Sequence, residues 1–304
     1  MSISHFRGAD EAAPALAEIP AKVTSQSLRE KKLNGQPISA LTAYDYATAR
    51  LVDEAGIDLI LVGDSLAMVV MGYDSTLPVT VDEMLHHTRA VRRAVKRAML
   101  VADMPYGSYH TDLAHGIANA IRFVKEGGAE AVKIEGGENR VELIERLTDA
   151  EVPVVGHLGL TPQSVHRMGG YKVQGKSIPA IERLMKDALA LEQAGVIAVV
   201  LEGIPREVAQ QITAELTVPT IGIGAGPDTD GQILVLHDLV NLTFSGRAKF
   251  VRQYGDAGTL LREAFAAYRH DVETRSFPSE AESYHLTKET RAMLDAEKVA
   301  RRKA

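Results

Sequence analysis

The sequence predicts an α/β protein of the (β/α)8 TIM barrel type, a single domain with an N-terminal extension and a helical C-terminal tail. Two observations support this prediction. Eight short apolar runs alternate with segments of helical periodicity, and in three places a helix that ends at glycine leads straight into an apolar strand. Eight parallel strands are the number that closes such a barrel. An open doubly wound sheet is the alternative that the same pattern allows.

The repeated pattern places a glycine just before each of three strands. Gly56, Gly128 and Gly195 are positioned to end the preceding helices, because glycine takes the left-handed conformation without a Cβ penalty. The three segments are EAGIDLILVGD (54–64), EGGAEAVKIEG (126–136) and QAGVIAVVLEG (193–203). The other five apolar runs span 38–43, 99–102, 152–155, 218–223 and 233–236.

Helical signals fill the segments between these strands. Thr80 and Glu83 have the spacing of a capping box, and Thr161 followed by Pro162 is typical of an N-cap with proline at the first helical position. One apolar face is formed by Leu113, Ile117, Ile121 and Val124, and a last helix is indicated by Leu260, Ala264, Phe265 and Tyr268.

The chain has no linker that would separate two domains. We expect a mobile N-terminal extension over 1–21, a catalytic barrel over 22–285 and a charged tail over 286–304.

Composition excludes several classes of protein. The 304 residues include no cysteine, which excludes disulfides, thiolate nucleophiles and cysteine-bound metals and fits a reducing compartment. With 34 basic and 40 acidic residues, the net charge of −6 argues against a nucleic-acid binder. No apolar run is long enough to span a membrane, and the acidic first twenty residues do not resemble a targeting signal. We therefore expect a cytoplasmic protein.

Charged residues follow the apolar strands where a barrel places its active site. The loops after the carboxyl ends of the strands build that site in this fold. Asp64, Asp103, His157 and Glu202 stand at the ends of the second, third, fifth and sixth strands. These residues are therefore candidates for function.

The fourth strand carries two charges on one face. Lys133 and Glu135 are two residues apart, so their side chains point the same way, while Val132 and Ile134 share the other face. The apolar pair suits contact with the helices. We therefore expect Lys133 and Glu135 to point into the barrel.

Three carboxylates on neighbouring strands predict a site for Mg²⁺. The ion prefers oxygen ligands, and Asp64, Asp103 and Glu135 supply them. A buried charge is costly unless it is paired, so this cluster requires compensation by the ion and by Lys133. Each acid taken singly is equally compatible with capping a helix or forming an ion pair.

Glu202 and His157 complete the candidate site. Glu202 comes from a strand on the far side of the barrel mouth from the proposed metal, which is the position for a general base. A salt bridge to a loop residue is its alternative role. His157 is compatible with binding a metal, a substrate carboxylate or a backbone carbonyl, and we expect a supporting polar role outside the metal shell.

Two glycine motifs resemble nucleotide-binding sequences without their context. Residues 170–177 satisfy G-x-x-x-x-G-K-S, but the helix start at Thr161 separates them from the preceding strand, so we do not expect a nucleotide loop. Residues 222–226 read GIGAG, which resembles a dinucleotide fingerprint, but Pro227 occupies the position of its third glycine. A tight turn and a phosphate-binding loop both explain these glycines.

The strand ends taken together resemble the ketopantoate hydroxymethyltransferase family. The resemblance covers roughly residues 22–285 and is far more specific than any single motif. The stretches that carry it are LTAYD (41–45), VGDS (62–65), DSTLPVT (74–80), ADMP (102–105), VKIEGG (132–137), GHLGLTPQS (156–164), GGYKVQG (169–175), LEGIP (201–205), IGIGAG (221–226) and DGQILV (230–235).

This resemblance implies a magnesium-dependent barrel enzyme of pantothenate biosynthesis. Such an enzyme transfers a hydroxymethyl group from 5,10-methylenetetrahydrofolate to 3-methyl-2-oxobutanoate and forms 2-dehydropantoate through an enolate. The family assembles as a homodecamer, and its partners otherwise are small molecules. By position, the metal-associated acids match Asp64, Asp103 and Glu135, the substrate-binding residues match Asp64, Ser65, Asp103 and Lys133, and the general base matches Glu202.

Three other functions remain open at this point. The nearest is another enzyme that forms metal-stabilised enolates on a barrel, such as a class II aldolase or a lyase resembling isocitrate lyase, which would turn over without folate. A nucleotide-binding protein that uses residues 170–177 is the second. A non-catalytic scaffold is the third, and the acids at the strand ends argue against it.

Overall fold

Eight parallel strands form a closed barrel. A computed structural model of the chain describes residues 21–244 and 246–303. The strands follow one another in chain order around the barrel, and the first strand pairs with both the second and the eighth. This closure confirms the predicted (β/α)8 barrel and is incompatible with an open doubly wound sheet.

The strands agree with the eight apolar runs of the sequence. They are β1 Ile38–Thr42, β2 Leu59–Val62, β3 Met99–Asp103, β4 Ala131–Glu135, β5 Val154–Gly159, β6 Ala198–Glu202, β7 Thr220–Ile223 and β8 Gly231–Leu234. The helices are α1 Ser25–Leu33, α2 Tyr46–Glu54, α3 Leu66–Val69, α4 Val81–Ala94, α5 Leu113–Arg122, α6 Val141–Asp149, α7 Val165–Met168, α8 Ile178–Gln193, α9 Arg206–Glu215, α10 Leu236–Leu239, α11 Ala257–Thr274 and α12 Lys288–Lys303.

The glycine before each repeated strand has the expected conformation. Gly56, Gly128 and Gly195 have φ angles of 80°, 72° and 97°, in the left-handed region. The helix before Gly128 is less regular than its spacing predicts, since α5 ends at Arg122 and continues as a π turn over Phe123–Gly127. The predicted helix stops are therefore confirmed, and one of them follows a widened final turn.

The capping signals hold in one case and only partly in the other. The Thr80 hydroxyl accepts the Glu83 amide and the Glu83 carboxylate accepts the Thr80 amide, so the predicted capping box opens α4. Pro162 opens a short 3₁₀ turn over Pro162–Ser164, as expected. Thr161 occupies the N-cap position of this turn, as expected, but its side chain makes no capping hydrogen bond there.

Strand alternation divides the core into two parts. Leu59 and Leu61 of β2 belong to the cluster inside the barrel, whereas Ile60 and Val62 pack outward against the helices. Leu28 of α1 also belongs to the inner cluster. The interior further includes Ile38, Ala40, Met99, Val101, Ala131, Val155, Ala198, Val200, Ile221 and Ile233. These apolar residues occupy the amino-terminal and middle part of the barrel and leave its carboxyl end to polar groups.

Contacts within the chain define two compact units. The first extends to Gln253 and contains the barrel, and the second begins at Tyr254 and contains α11 and α12. Both helices predicted for this second unit are therefore present. The expected extension over 1–21 falls almost entirely on residues 1–20, which lie outside the described residues, and the boundary at 285/286 stays a prediction. Within the described ranges, every helix is too short or too polar to cross a membrane.

Candidate active site

The inward alternation of four strands continues into a cluster of charged side chains. Asp103 follows Met99 and Val101 on the inner face of β3, and Lys133 and Glu135 follow Ala131 on β4. In the same way His157 follows Val155 on β5, and Glu202 follows Val200 on β6. All lie at the carboxyl end of the barrel, as the sequence predicted. They are buried except Glu202, whose side chain is 16% exposed.

Lys133 and Asp103 are direct neighbours in the pairing of β3 with β4. The Lys133 Nζ lies 2.8 Å from the Asp103 Oδ1 and 3.9 Å from the Glu135 Oε1. Burial disfavours the ammonium, but the charges of Asp103, Glu135 and Asp64 outweigh it and raise the pKa of Lys133 above its usual value. Lys133 is therefore a buried cation that compensates part of the acidic cluster, as expected.

His157 connects the acid of β4 with the acid of β6. Its Nδ1 lies 3.3 Å from the Glu135 Oε1, and its Nε2 lies 3.1 Å from the Glu202 Oε2. Burial and the nearby Lys133, whose Nζ is 3.0 Å from Nδ1, disfavour protonation of the imidazole. The two carboxylates outweigh both effects and raise the pKa of His157 to about 9. The two carboxylates therefore favour the protonated imidazole, although the contact of Nε2 with Glu202 is not aligned as a hydrogen bond.

Asp64 lies just beyond β2, beside Asp103. Its backbone N–H donates to the Asp103 Oδ2 at 3.0 Å, and its own Oδ2 accepts a 2.8 Å hydrogen bond from the Gln163 Nε2. Burial raises the pKa of Asp64 well above its usual range, and the negative charges of Asp103 and Glu135 raise it further. Asp64 is thus the carboxylate with the least compensation, so in the absence of a cation it holds a proton more readily than its neighbours.

Gln163 is a site residue to which the sequence reasoning assigned no role. Its backbone N–H donates to the Glu135 Oε2 at 3.0 Å, and its side chain donates to Asp64 and to the Met104 carbonyl. The Tyr109 hydroxyl donates to its Oε1 at 2.6 Å. The available signal was its position directly after the Thr161–Pro162 turn that follows β5. Gln163 therefore holds two of the predicted metal acids in place.

Ser65 and the charged cluster line one small cavity of about 100 Å³. The Ser65 hydroxyl lies 2.9 Å from the Tyr44 hydroxyl. Every predicted site residue contributes to this cavity, namely Asp64, Ser65, Asp103, Lys133, Glu135, His157 and Glu202. Its four carboxylates and two cations leave two negative charges uncompensated when all six groups are charged.

The cluster fits a divalent cation held by few protein ligands. Asp103 Oδ1 and Glu135 Oε1 are buried without a well-aligned hydrogen bond among the described residues, although each lies near a cation. No group of three or more acidic or histidine side chains in the described chain is already arranged to hold a metal. Mg²⁺ commonly takes one or two carboxylates and completes its shell with water and substrate. The adjacent Asp64 and Asp103 supply two carboxylates, and the excess negative charge of the cluster favours the binding of a cation.

The two glycine motifs have structural surroundings that differ from nucleotide sites. Residues 170–177 follow the short helix α7 instead of a strand, which confirms that the context is wrong for a nucleotide loop. In the second motif a Cβ at Gly224 would lie 2.6 Å from the Phe250 ring, and one at Gly226 would lie 2.6 Å from the Arg206 side chain. Both also have positive φ angles. These glycines allow close packing.

A closed parallel barrel whose strand ends gather carboxylates, a lysine and a histidine around a cavity defines a (β/α)8 enzyme. Comparison with known families identifies which one. Residues 22–280 match the ketopantoate hydroxymethyltransferase family, and the chain belongs to that family. The resemblance seen in the sequence is thereby confirmed, and the chain is an enzyme of the hydroxymethyltransferase class.

Curated relatives are similar over almost their whole length. The chain is 68% identical over 281 residues to the 3-methyl-2-oxobutanoate hydroxymethyltransferase of Koribacter versatilis, which covers 92% of this chain and 95% of the relative. It is 55% identical over 261 residues to the enzyme of the same name from Geobacter sulfurreducens, covering 86% and 98%.

Solved structures share the fold at low sequence identity. Phosphonopyruvate hydrolase in complex with oxalate and Mg²⁺ superposes with a TM-score of 0.59 at 17% identity, covering 91% of this chain and 96% of that one. The 2,3-dimethylmalate lyase, a member of the PEP mutase/isocitrate lyase superfamily, gives 0.53 at 18% identity, covering 94% and 100%. These similarities support the barrel fold.

Proposed function

We propose that the chain transfers a hydroxymethyl group from 5,10-methylenetetrahydrofolate to 3-methyl-2-oxobutanoate and forms 2-dehydropantoate in pantothenate biosynthesis. The observation that carries this proposal is the cavity that Asp64, Asp103, Lys133 and Glu202 line together. The chain is also 68% identical to a relative named 3-methyl-2-oxobutanoate hydroxymethyltransferase. One face of the cavity supplies acids for a cation, and the opposite face supplies a base.

Asp64 and Asp103 would hold Mg²⁺, with Glu135 as the third acid of the group. The burial of all three and the excess negative charge support this assignment. When bound, the ion supplies a Lewis acid that stabilises negative charge on the keto oxygen of a 2-oxo acid. Lys133 and Ser65 are the residues available to orient the carboxylate of that acid.

Glu202 is the proposed general base. It is the least buried acid of the cavity. The His157 Nε2 lies 3.1 Å from the Glu202 Oε2, and this contact orients the carboxylate for proton transfer. Removal of the C3 proton leaves the electron pair in an enolate, whose C3 forms a bond to the methylene carbon of the donor. Water provides the hydroxyl group while both carbon–nitrogen bonds of that methylene break. One nitrogen of the donor receives the proton removed from C3, and the other receives the proton that water loses when it supplies the hydroxyl group.

Product formation tests the proposal directly. The protein is incubated with 3-methyl-2-oxobutanoate, with and without Mg²⁺ and with and without 5,10-methylenetetrahydrofolate. We expect 2-dehydropantoate only when both are present. Cleavage or aldol products formed without the folate would instead support an enolate-forming lyase or aldolase. The cytoplasmic location and the homodecamer stay predictions of the family resemblance.

A further inference from the structure

A second and larger cavity lies beside the acidic cluster. Its volume is about 480 Å³, and it is lined by residues of the loops after β3, β4 and β5 and of α8. Glu135 lines both cavities, and Gln163, which lines the larger one, donates to Asp64 of the cluster. The larger cavity is therefore adjacent to the site where the proposed chemistry takes place.

The sizes of the two cavities separate the two substrates. Cavities for small organic ligands usually measure about 300–1,000 Å³. The larger cavity lies within this range, whereas the cavity of about 100 Å³ around Asp64 and Glu202 lies below it and suits only the smaller substrate, a short branched 2-oxo acid. A reduced pterin that carries an aminobenzoyl-glutamate arm is several times larger and requires the neighbouring space.

Three arginine side chains line the larger cavity, together with the acids Glu135 and Asp187. Arg140 is already engaged, since its Nε donates to the Glu135 carbonyl at 3.3 Å and its guanidinium lies 4.9 Å from the centre of the Tyr109 ring. Arg183 lies 3.7 Å from Asp187, and its side chain is 66% exposed. Arg167 forms no salt bridge within the described part of the chain. Arg167 and Arg183 are thus available for a ligand carboxylate, which a guanidinium binds with two parallel hydrogen bonds.

Other residues of the lining offer aromatic and apolar surface. The rings of Tyr109 and His110 lie 4.2 Å apart between centroids, and Met168 and Leu184 add apolar contacts. Burial and the positive charge of Arg140 lower the pKa of His110 to about 4, so its imidazole is neutral at physiological pH. A planar aromatic ligand can pack against such a surface.

We propose that this cavity is the subsite of the one-carbon donor, with Arg167 and Arg183 binding the carboxylates of its glutamate arm. The reduced pterin then lies at the end bordered by Glu135 and Gln163, close to the acceptor. This inference rests on the proposed function, because it assigns a place to the second substrate of that reaction.

Equilibrium titration with tetrahydrofolate tests the subsite. The wild-type protein, the double variant Arg167→Ala/Arg183→Ala and the control Lys186→Ala are compared in the presence of Mg²⁺ and 3-methyl-2-oxobutanoate. Lys186 is a matched control because it is a cation of the same helix α8 that pairs with Glu138 and does not line the cavity. We expect the Kd to rise about tenfold in the double variant, as for the loss of charge-assisted hydrogen bonds, and to stay near the wild-type value in the control.

Two further readouts separate the outcomes. A tetrahydropterin without the glutamate arm should bind the wild-type protein and the double variant equally. Exchange of the C3 proton of 3-methyl-2-oxobutanoate with solvent, measured without folate, should be unchanged in the double variant. Equal tetrahydrofolate affinity in the double variant and the control would overturn the subsite, as would loss of C3 exchange in the double variant. Absence of C3 exchange in the wild-type protein would overturn the proposed function itself.

Discussion

His157 lies between Glu202 and Glu135. Its Nε2 is 3.1 Å from the Glu202 Oε2, and its Nδ1 is 3.3 Å from the Glu135 Oε1. A protonated imidazole in this position links the proposed base to the acids of the metal side. We therefore propose that His157 is a positioning residue, and the supporting polar role predicted for it stays a prediction.

The raised pKa of His157 predicts a pH-dependent contribution to stability. Its folded value is about 9, above the ordinary value near 6.5, so the stabilisation is complete below about pH 6.5 and is lost as the pH rises through about 9. In metal-free protein, we expect the stability advantage of the wild type over His157→Gln to fall by an amount on the order of 3 kcal/mol between about pH 6 and pH 10. Urea unfolding across this range measures it.

His86→Gln is the matched control for that experiment. His86 is exposed on α4, so its replacement removes a histidine without disturbing the buried cluster. A stability difference between the wild type and His157→Gln that stays constant from about pH 6 to pH 10 would contradict a protonated His157 between two carboxylates.

Lys133→Met should destabilise the metal-free protein strongly. The substitution leaves the buried Asp103 without its cation and removes one of the two cations near Glu135, and removal of one partner from a buried ion pair typically costs about 3–5 kcal/mol. Arg50→Met is the control, because Arg50 and Glu54 form a pair in which both side chains are more than half exposed, and exposed ion pairs contribute little to stability. Chemical unfolding of both variants gives the comparison. A similar small loss in both would exclude Lys133 as the compensating charge.

Mg²⁺ should stabilise the wild-type protein and not Asp64→Asn. At an Mg²⁺ concentration about a hundredfold above Kd, binding to the folded state adds about 2.7 kcal/mol, which raises the Tm. Because the pKa of Asp64 is raised, its deprotonation in metal-free protein costs stability as the pH rises. Without metal, Asp64→Asn should therefore gain stability relative to the wild type with increasing pH.

Thermal unfolding with and without Mg²⁺ measures both effects. Asp82→Asn serves as the control, because that carboxylate is largely exposed and pairs with Arg122 outside the cavity. An equal Mg²⁺-dependent rise of the Tm in Asp64→Asn and Asp82→Asn would show that the ion binds elsewhere.

Local patterns were sufficient to predict the barrel and the residues that face its interior. Glycine before apolar strands marks the helix ends, and the alternation along β4 alone determines that Lys133 and Glu135 point inward. The fold then places all strand ends at one rim, so acids far apart in the sequence meet. These inferences depend on chain geometry within a few residues, which the sequence contains directly.

Contacts between distant loops could not be predicted in the same way. Gln163 reaches Asp64 across 99 positions of the sequence, and the Tyr109 hydroxyl reaches Gln163 across 54. No spacing rule relates such residues. The pairing of His157 with both Glu135 and Glu202 likewise depends on the registers of β4, β5 and β6. The larger cavity likewise brings together arginines of three separate segments.

Exchange of the C3 proton of 3-methyl-2-oxobutanoate with D₂O tests the central claim most directly. Measured by NMR with Mg²⁺ and without folate, the wild-type protein should exchange this proton. Glu202→Gln should still bind the 2-oxo acid but exchange it about 10²–10⁴-fold more slowly, which is the usual effect of removing a positioned base. Undiminished exchange in Glu202→Gln would contradict the assignment of Glu202 as the base that faces a metal-binding rim.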